Sequence, residues 1–304
     1  ILFFFVCYYA NLSIRHAEKI LICMGWFACM LYVVQYMVYP YPILLDAAQH
    51  NYTGNIRIRM AGSALFIILT LYYFNRYLLN RRMINLALSL PPLLCIFLIG
   101  FRSLSIAVIG CAFLMLAFFS GSFSRKVVIV VPVIIGLVVF SQVGIVHKKI
   151  ENMIERQTTG HTFDNQDYAR VIEYDYYTNR YFSSDLERFF GSGPTIYGTA
   201  FFKKETDYMD KMGIYWSDWG LLGMSWIFGI PAAILLAYMV IRPLFASVPK
   251  EFLYIKASCG ALILTSLTLA EIYRNSNLIV ISILLYLVSK MGKEQRSFDV
   301  ERVK

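Results

Sequence analysis

The sequence has little charge. Asp, Glu, Lys and Arg make up only 15% of the 304 residues, whereas hydrophobic residues make up 58%. This combination excludes an ordinary soluble enzyme. A basic stripe within a polar segment is also missing, although the net charge is +9. The basic residues gather at the ends of apolar runs, so the charge indicates membrane topology and no nucleic-acid partner.

Metal-binding patterns are missing as well. All six cysteines lie in apolar stretches without CxxC spacing, and the four histidines form no HExxH motif. We therefore predict neither a disulfide framework nor a metal site, and we expect no cofactor. The sequence also lacks an initiator Met, because Ile1 lies inside an apolar run. With no basic n-region and no cleavage site, this start is interpreted as the remnant of a truncated span and not as a signal peptide.

Long apolar runs, in contrast, are abundant, and many can cross a hydrocarbon core of about 30 Å. The sequence therefore predicts an all-α fold, a polytopic transmembrane helical bundle of about eight full spans plus an N-terminal remnant. The predicted spans are Ile1–Ala10 (the remnant), Ile20–Val38, Met60–Leu79, Ile84–Phe101, Ser103–Ser120, Val127–Val146, Ile214–Ile241, Phe252–Glu271 and Asn277–Ser289.

The connectors between these runs alternate between basic and sparsely basic ones, and basic connectors of membrane proteins face the cytoplasm. This alternation places the tail after Lys290 inside and the one long connector, His147–Gly213, outside. The predicted domains are an N-terminal transmembrane bundle (1–146), a large extracytoplasmic loop (147–213), C-terminal transmembrane helices (214–289) and a cytoplasmic tail (290–304).

The long connector is a functional candidate by length alone, because lids and binding loops are the usual reason for such insertions. Between Tyr168 and Phe190, aromatic and aliphatic residues recur at loosely helical spacing among charged ones. This pattern predicts amphipathic helices lying on the outer membrane surface. The segment Gly191-Ser192-Gly193-Pro194 then predicts a turn that ends them.

Three arginines stand at the outer ends of predicted spans. Arg102 lies between two apolar runs with almost no loop, where a lone charge is costly unless paired. Arg57 and Arg59 face the same side if their backbone is extended. Guanidinium forks are preferred ligands of phosphate oxygens, so the three arginines could meet one pyrophosphate. The alternatives are a snorkelling role for Arg102 and a flanking charge of the next span for the other two.

Arg170 and Arg180 precede the turn at Phe190–Gly193. That turn lacks the Lys-Ser/Thr of a P-loop and the strand of a dinucleotide fingerprint, so its glycines are interpreted as a helix C-cap and turn. Further along, Asp218 opens a predicted span, either as the N-cap of that helix or as a chemical group. The glycines that follow it would let neighbouring helices approach closely.

In their order, these motifs resemble the O-antigen ligase and polymerase superfamily, integral-membrane enzymes that join lipid-pyrophosphate-linked glycans outside the bacterial plasma membrane. An Arg precedes a Gly at a span mouth (Arg59, Gly62), and a Gly-x-Arg-Ser turn links two spans (Gly100–Ser103). A large outer loop follows with Arg170 ahead of a Phe-Gly-x-Gly turn, and Asp-x-Gly-x-x-Gly (Asp218–Gly223) opens the next span. The resemblance covers the chain from Ile56 to Gly229.

One position departs from the family pattern. Where ligases of this superfamily carry His-Asn, this chain has Met209-Asp210. The chain therefore resembles a repeat-unit polymerase more than a ligase. In that comparison Asp210 or Asp218 serves where the ligase uses His.

The resemblance implies a polymerase that joins undecaprenyl-pyrophosphate-linked repeat units into O-antigen, capsule or exopolysaccharide at the bacterial plasma (inner) membrane. It implies neither a metal nor a nucleotide sugar. The implied partners are the lipid-linked oligosaccharide donor and acceptor, membrane lipids, a flippase and chain-length regulator proteins, and no nucleic acid. The residues expected to bind the donor pyrophosphate are Arg102, Arg170, Arg59, Arg57 and Arg180.

Two other classes of membrane protein stay open at this point. A polyprenol-linked glycan flippase or another polysaccharide exporter would place charged residues or broken helices near the bilayer midplane. Nearly every ionisable residue of this chain instead lies at a predicted span end or in the outer loop. A membrane scaffold with an outer sensor loop is the third possibility.

Overall fold

The computed structural model describes residues 2–39, 41, 43, 48–52, 55–59, 62–118, 169–193, 198–199, 203, 209, 214–269, 271–273 and 275–303. The predicted span Val127–Val146 and the candidate base Asp210 lie outside this part of the chain. The backbone of 48–59 is described where it forms strands, but of its side chains only Ile58 is.

Helices make up most of the described chain, as the apolar runs predict. Short single turns also occur at Tyr176–Arg180 (a π turn), Trp216–Trp219 and Lys250–Phe252 (3-10 turns). The α-helices are α1 (Leu2–Tyr9), α2 (Ile14–Met37), α3 (Ser63–Asn80), α4 (Met83–Ile99), α5 (Arg102–Phe118), α6 (Ala169–Asp175), α7 (Asp185–Phe190), α8 (Gly220–Phe228), α9 (Ile230–Phe245), α10 (Leu253–Thr265) and α11 (Asn275–Val303).

The described chain is helical, as expected, apart from one β-hairpin that precedes α3. Its strands are β1 (Ala48–Tyr52) and β2 (Asn55–Arg59), which pair in antiparallel fashion with His50 opposite Arg57. The alternation of polar and apolar residues in β2 has a period of two, which favours a strand. The backbone at Arg57 and Arg59 is therefore extended. Residues two apart in an extended strand belong to the same side of it.

Helix α3 is the centre of the bundle. Every residue from Ser63 to Leu71 is buried, and α3 contacts α2, α4, α5, α10 and α11. A helix that is apolar all round can be stable only where neighbours cover it on all sides. These five helices accordingly pack around α3 and enclose one continuous core.

Among the described residues, only α2 is both long and apolar enough to cross a membrane. Helices α4, α5 and α9 are apolar but span only 16 to 17 residues. At a rise of about 1.5 Å per residue, a helix of that length covers roughly 25 Å. The bundle of eight spans therefore stays a prediction.

Three predicted boundaries differ from the structure. The run Ile214–Ile241 is not one continuous helix, because it breaks at Gly229, whose φ of +87° no helical residue adopts. Helix α10 ends at Thr265, several residues earlier than predicted. The predicted tail after Ser289 continues as helix, because α11 runs without interruption to Val303.

Successive helices run between two ends of the bundle. At the end next to the hairpin, the Tyr32 hydroxyl donates to the Ile58 carbonyl at 3.3 Å. We call this the hairpin end. At the opposite end, Arg76 pairs with Glu18 at 3.6 Å. The Arg102 start of α5 lies at the hairpin end, because the short turns before and after α4 each reverse the chain. The start of α8 lies there too, because the Leu221 N–H bonds to the Ser266 carbonyl at the end of α10.

Candidate functional site

A buried carboxyl from the long connector lies against the start of α8. Glu173 belongs to α6, and only 1% of its surface is exposed. Its Oε1 accepts a hydrogen bond from the backbone N–H of Tyr215 at 3.0 Å. Its Oε2 has no hydrogen-bond partner among the described residues. This carboxyl is the feature around which the two candidate site residues of this region meet.

Burial raises the pKa of Glu173 to about 7, because a charged carboxylate loses its hydration there. The Tyr215 N–H opposes this rise, whereas the nearby Asp218 carboxylate adds to it. The Arg170 guanidinium and the Trp219 side chain favour the ionised form to a smaller extent. Arg170 and Asp218, both selected from the sequence, therefore act electrostatically on one buried group.

Asp218 lies in the 3-10 turn Trp216–Trp219, immediately before α8. Its backbone N–H bonds to the Tyr215 carbonyl at 3.1 Å. The N-cap residue of α8 is Trp219, and no side chain caps that helix. The interpretation of Asp218 as a helix N-cap is therefore wrong. Its half-buried side chain stays available for another role.

Two close backbone contacts hold the turn that carries Asp218, one to the end of α10 and one to the first turn of α8. A Cβ on Gly220 would lie 2.0 Å from the Ser266 carbonyl oxygen, and one on Gly223 would lie 1.8 Å from the Trp216 oxygen. The N–H of Leu221 also bonds to the Ser266 carbonyl at 2.8 Å. The predicted close approach of a neighbouring helix is therefore present at Gly220, and it fixes the turn on its bundle side.

The turn after α7 packs against the break between α8 and α9. Gly191 has a φ of +82°, and a Cβ there would lie 2.4 Å from the Gly229 nitrogen. The N–H groups of Ser192 and Gly193 bond to the Trp226 and Ile227 carbonyls at 3.1 and 2.9 Å. Gly191 is also the C-cap of α7, as expected. These backbone bonds dock the connector onto the bundle.

Aromatic rings cover the same contact. Tyr177 stacks on Trp226, with 4.8 Å between the ring centroids and an interplanar angle of 11°. Trp226 in turn lies 6.1 Å from Trp219, which lies 5.3 Å from Tyr174. Tyr174 is 46% exposed, so one face of the cluster is open to a ligand. Flat aromatic faces of this kind suit the apolar side of a sugar ring.

The remaining candidate arginines do not join this cluster. Arg102 is half-buried at the first turn of α5, two residues after the left-handed Gly100, and no described residue pairs with its guanidinium. Arg180 forms an ion pair of 2.7 Å with Asp175, and its side chain is 71% exposed. For Arg57 and Arg59 the structure describes the backbone alone.

A second buried polar cluster was not anticipated. The Ser63 hydroxyl donates to Glu271 Oε2 at 2.5 Å, and the Asn277 amide donates to the same oxygen at 3.1 Å. All three residues are fully buried at the hairpin end, where they join the starts of α3 and α11.

Glu173 is the functional candidate that sequence reasoning missed. The pattern in Tyr168–Phe190 predicted amphipathic helices, and nothing local in the sequence distinguishes Glu173 from Glu187. Within the described ranges no group of three or more His, Cys, Asp or Glu side chains could hold a metal ion.

Searches against protein-family models, curated proteins and solved structures gave no match to the chain.

Proposed function

We propose that this protein is a membrane glycosyltransferase that polymerises oligosaccharide repeat units linked to undecaprenyl pyrophosphate. The proposal rests on the order of motifs along the chain. A second observation supports the proposal, because Arg170 and Asp218 both act electrostatically on the buried Glu173 carboxyl. A cation suited to pyrophosphate and a carboxylate suited to a hydroxyl proton are the two groups that such a reaction needs.

Outward-facing apolar side chains support a location in the membrane. Phe27 on α2 is 59% exposed, Ile106 on α5 is 71% exposed, and Ile234 on α9 is 63% exposed. Large contiguous apolar patches are rare on soluble monomers, whereas lipid covers them at no cost. We therefore place these faces against lipid, in a polytopic bundle within the bacterial plasma membrane.

The distribution of basic residues supports the orientation. Arg76 and Arg242 lie at helix ends opposite the hairpin, as the sequence alternation predicts for the cytoplasmic side. The hairpin, Arg102 and the Asp218 turn then lie at the outer face. In this orientation the proposed site is open to lipid-linked sugars delivered to the outer side of the membrane.

In the proposed reaction, an acceptor sugar hydroxyl attacks the anomeric carbon of the donor. A new glycosidic bond forms, the bond from that carbon to the pyrophosphate oxygen breaks, and undecaprenyl pyrophosphate leaves. The hydroxyl proton passes to the Asp218 carboxylate. Since pyrophosphate is already a good leaving group, the protein has mainly to hold its charge, for which Arg170 and Arg102 are proposed.

The location of buried carboxyls favours this reaction over transport. A transporter places ionisable groups near the midplane of its spans. Among the described residues outside the long connector, the buried carboxyls are those of Glu18, in the second turn of α2, and Glu271, in the turn between α10 and α11. Both buried carboxyls are therefore close to helix ends.

The polymer would be O-antigen, capsule or exopolysaccharide, and a flippase and a chain-length regulator would be partners.

The test is chain extension by the purified full-length protein in lipid vesicles that contain an undecaprenyl-pyrophosphate-linked oligosaccharide. A ladder of products, each longer by one repeat unit, supports the proposal. Translocation of the substrate without new bonds would indicate a flippase instead, and neither activity would indicate a scaffold. Asp218→Asn, which removes the proton acceptor at constant size, should abolish the ladder and serves as the matched negative control.

A further inference from the structure

The carboxyl group of Glu173 is buried, and burial makes its ionised form costly in free energy. The proposed reaction gives this carboxyl no direct role. Glu173 is fully buried, and its Oε2 finds no hydrogen-bond partner in the described part of the chain. Buried polar atoms are nearly always satisfied, so each exception calls for an explanation. Because the carboxyl is not exposed, it is not placed to receive a proton from a sugar directly.

Two backbone hydrogen bonds connect this carboxyl to Asp218. Glu173 Oε1 accepts the Tyr215 N–H at 3.0 Å. The Tyr215 carbonyl accepts the Asp218 N–H at 3.1 Å. The Glu173 side chain therefore holds the backbone of Tyr215, just before the turn. Tyr215 in turn holds the backbone of Asp218, the candidate proton acceptor.

The other side of the turn has no comparable freedom. Gly220 presses against the Ser266 carbonyl oxygen of the bundle, with no room for a Cβ. The Leu221 N–H is bonded to the Ser266 carbonyl. The turn thus has one rigid side and one side whose position depends on Glu173.

Within the described part of the chain, the groups that act on the Glu173 carboxyl come from two elements. From its own helix α6, the Arg170 guanidinium attracts the ionised carboxylate. From the turn, Asp218 repels it, while the Tyr215 N–H and the Trp219 side chain favour it. Ionisation of Glu173 therefore changes the forces on both groups that the proposed reaction needs, Arg170 and Asp218.

We propose that Glu173 is a positioning residue whose ionised carboxylate holds the Tyr215–Trp219 turn and Arg170 in their active arrangement. The inference rests on the proposed function. A carboxylate is a stronger acceptor for the Tyr215 N–H than a neutral carboxyl group is. Its charge also draws in Arg170 and pushes the Asp218 carboxylate away toward the open side of the cluster. Protonation of Glu173 weakens the hydrogen bond to Tyr215 and the attraction to Arg170, and it removes the repulsion of Asp218. The enzyme is therefore active above the pKa of this group and weakly active below it.

Glu173→Gln tests the role of the charge, since the amide keeps the size and an oxygen for the Tyr215 N–H. We expect chain extension by the wild-type protein to rise with pH through a step near the pKa of Glu173, about 7. In Glu173→Gln the step should disappear, and the rate at about pH 8 should fall on the order of 10-fold or more. Glu187→Gln is the matched control, because it makes the same change in an exposed residue of the same connector and should behave as wild type.

Tryptophan fluorescence gives a second readout that needs no turnover. Trp219 lies beside Glu173, so the emission of the wild-type protein should titrate with a midpoint near 7. The transition should be absent from Glu173→Gln and from Trp219→Phe, and present in Glu187→Gln. This measurement also shows whether each variant is folded.

The two readouts separate the inference from the proposed function. Wild-type rates and an unchanged pH profile in Glu173→Gln would overturn the inference, as would a fluorescence transition that persists in that variant. A fluorescence transition that depends on Glu173, in a protein that forms no glycosidic bond, would uphold the link between Glu173 and the turn and reject the polymerase.

Discussion

The ring of Tyr177 lies flat against the indole of Trp226, with 4.8 Å between the centroids. Tyr177 is a buried residue of the long connector, and Trp226 is a buried residue of α8. The stack therefore joins the connector to the bundle beside the Gly191 contact. It also keeps α6, with Arg170 and Glu173, next to the Asp218 turn, so the account of the site depends on it.

Tyr177→Ala should detach the connector. Truncating a buried aromatic ring typically costs about 3–5 kcal/mol, and the stacked pair contributes roughly 1 kcal/mol of this. Limited proteolysis of the protein in membrane vesicles should therefore cleave the connector much faster in this variant. Tyr177→Phe keeps the ring and should remain protected. Equal cleavage rates for Tyr177→Ala and an exposed control, Tyr238→Ala, would show that the stack does not hold the connector.

Gly191→Ala should have an effect of similar size for a different reason. The added Cβ would meet the backbone of Gly229 at 2.4 Å, where no flexible side chain can move aside. The cost should be about 3 kcal/mol or more, against roughly 1 kcal/mol for a positive φ alone. Gly193→Ala is the matched control, because Gly193 has the same φ of +82° and open space around its Cα. Similar thermal unfolding midpoints for the two variants would contradict the close contact.

Glu173→Gln should stabilise the protein at high pH, although it reduces activity. Burial raises the pKa of Glu173 to about 7, so the folded state keeps a proton that the unfolded chain releases near pH 4.5. The stability that this proton provides is complete below pH 4.5 and is lost as the pH rises through 7. At about pH 8 the variant should be more stable by about 3 kcal/mol, and at about pH 4 the two should be equal. A variant less stable than wild type at about pH 8 would contradict the burial cost.

The arginines are tested by their replacement with Lys and Ala. If Arg102 and Arg170 bind pyrophosphate through bidentate forks, Lys cannot reproduce the geometry. Arg→Lys should then be nearly as damaging as Arg→Ala, with a loss of rate on the order of 10²-fold or more. Arg242, at the opposite end of the bundle, is the control position and should tolerate both changes. Full activity of Arg102→Lys and Arg170→Lys would remove both residues from the site, since a snorkelling role needs only a cation on a long side chain.

Much of the helical fold follows from the apolar runs, because burial of an apolar stretch depends on local composition. Predicted spans match α2, α3, α4 and α5 to within a few residues at most boundaries. The break at Gly229 was not predicted, since hydropathy continues across it. Its left-handed backbone is set by contact with the turn at Phe190, and no local pattern carries that information. The hairpin was missed because its alternating residues are few and lie between two long runs.

The residues of the candidate site could likewise be predicted only in part from the sequence. Arg170 and Asp218 could be selected from motif order, because each motif is local in the sequence. The burial of Glu173 could not be predicted, since its hydrogen-bond partner Tyr215 lies in a distant part of the sequence. On a short amphipathic segment, a buried carboxyl and a solvated one have the same sequence signature. Only the packing of α6 against the start of α8 distinguishes them.

The most direct test of the polymerase account is the stoichiometry of bond formation and lipid release. Full-length protein in vesicles receives an undecaprenyl-pyrophosphate-linked oligosaccharide, and mass spectrometry counts both products. We predict one released undecaprenyl pyrophosphate for each new glycosidic bond, and loss of both products in Asp218→Asn. Consumption or translocation of the substrate without matched release of undecaprenyl pyrophosphate would contradict the account.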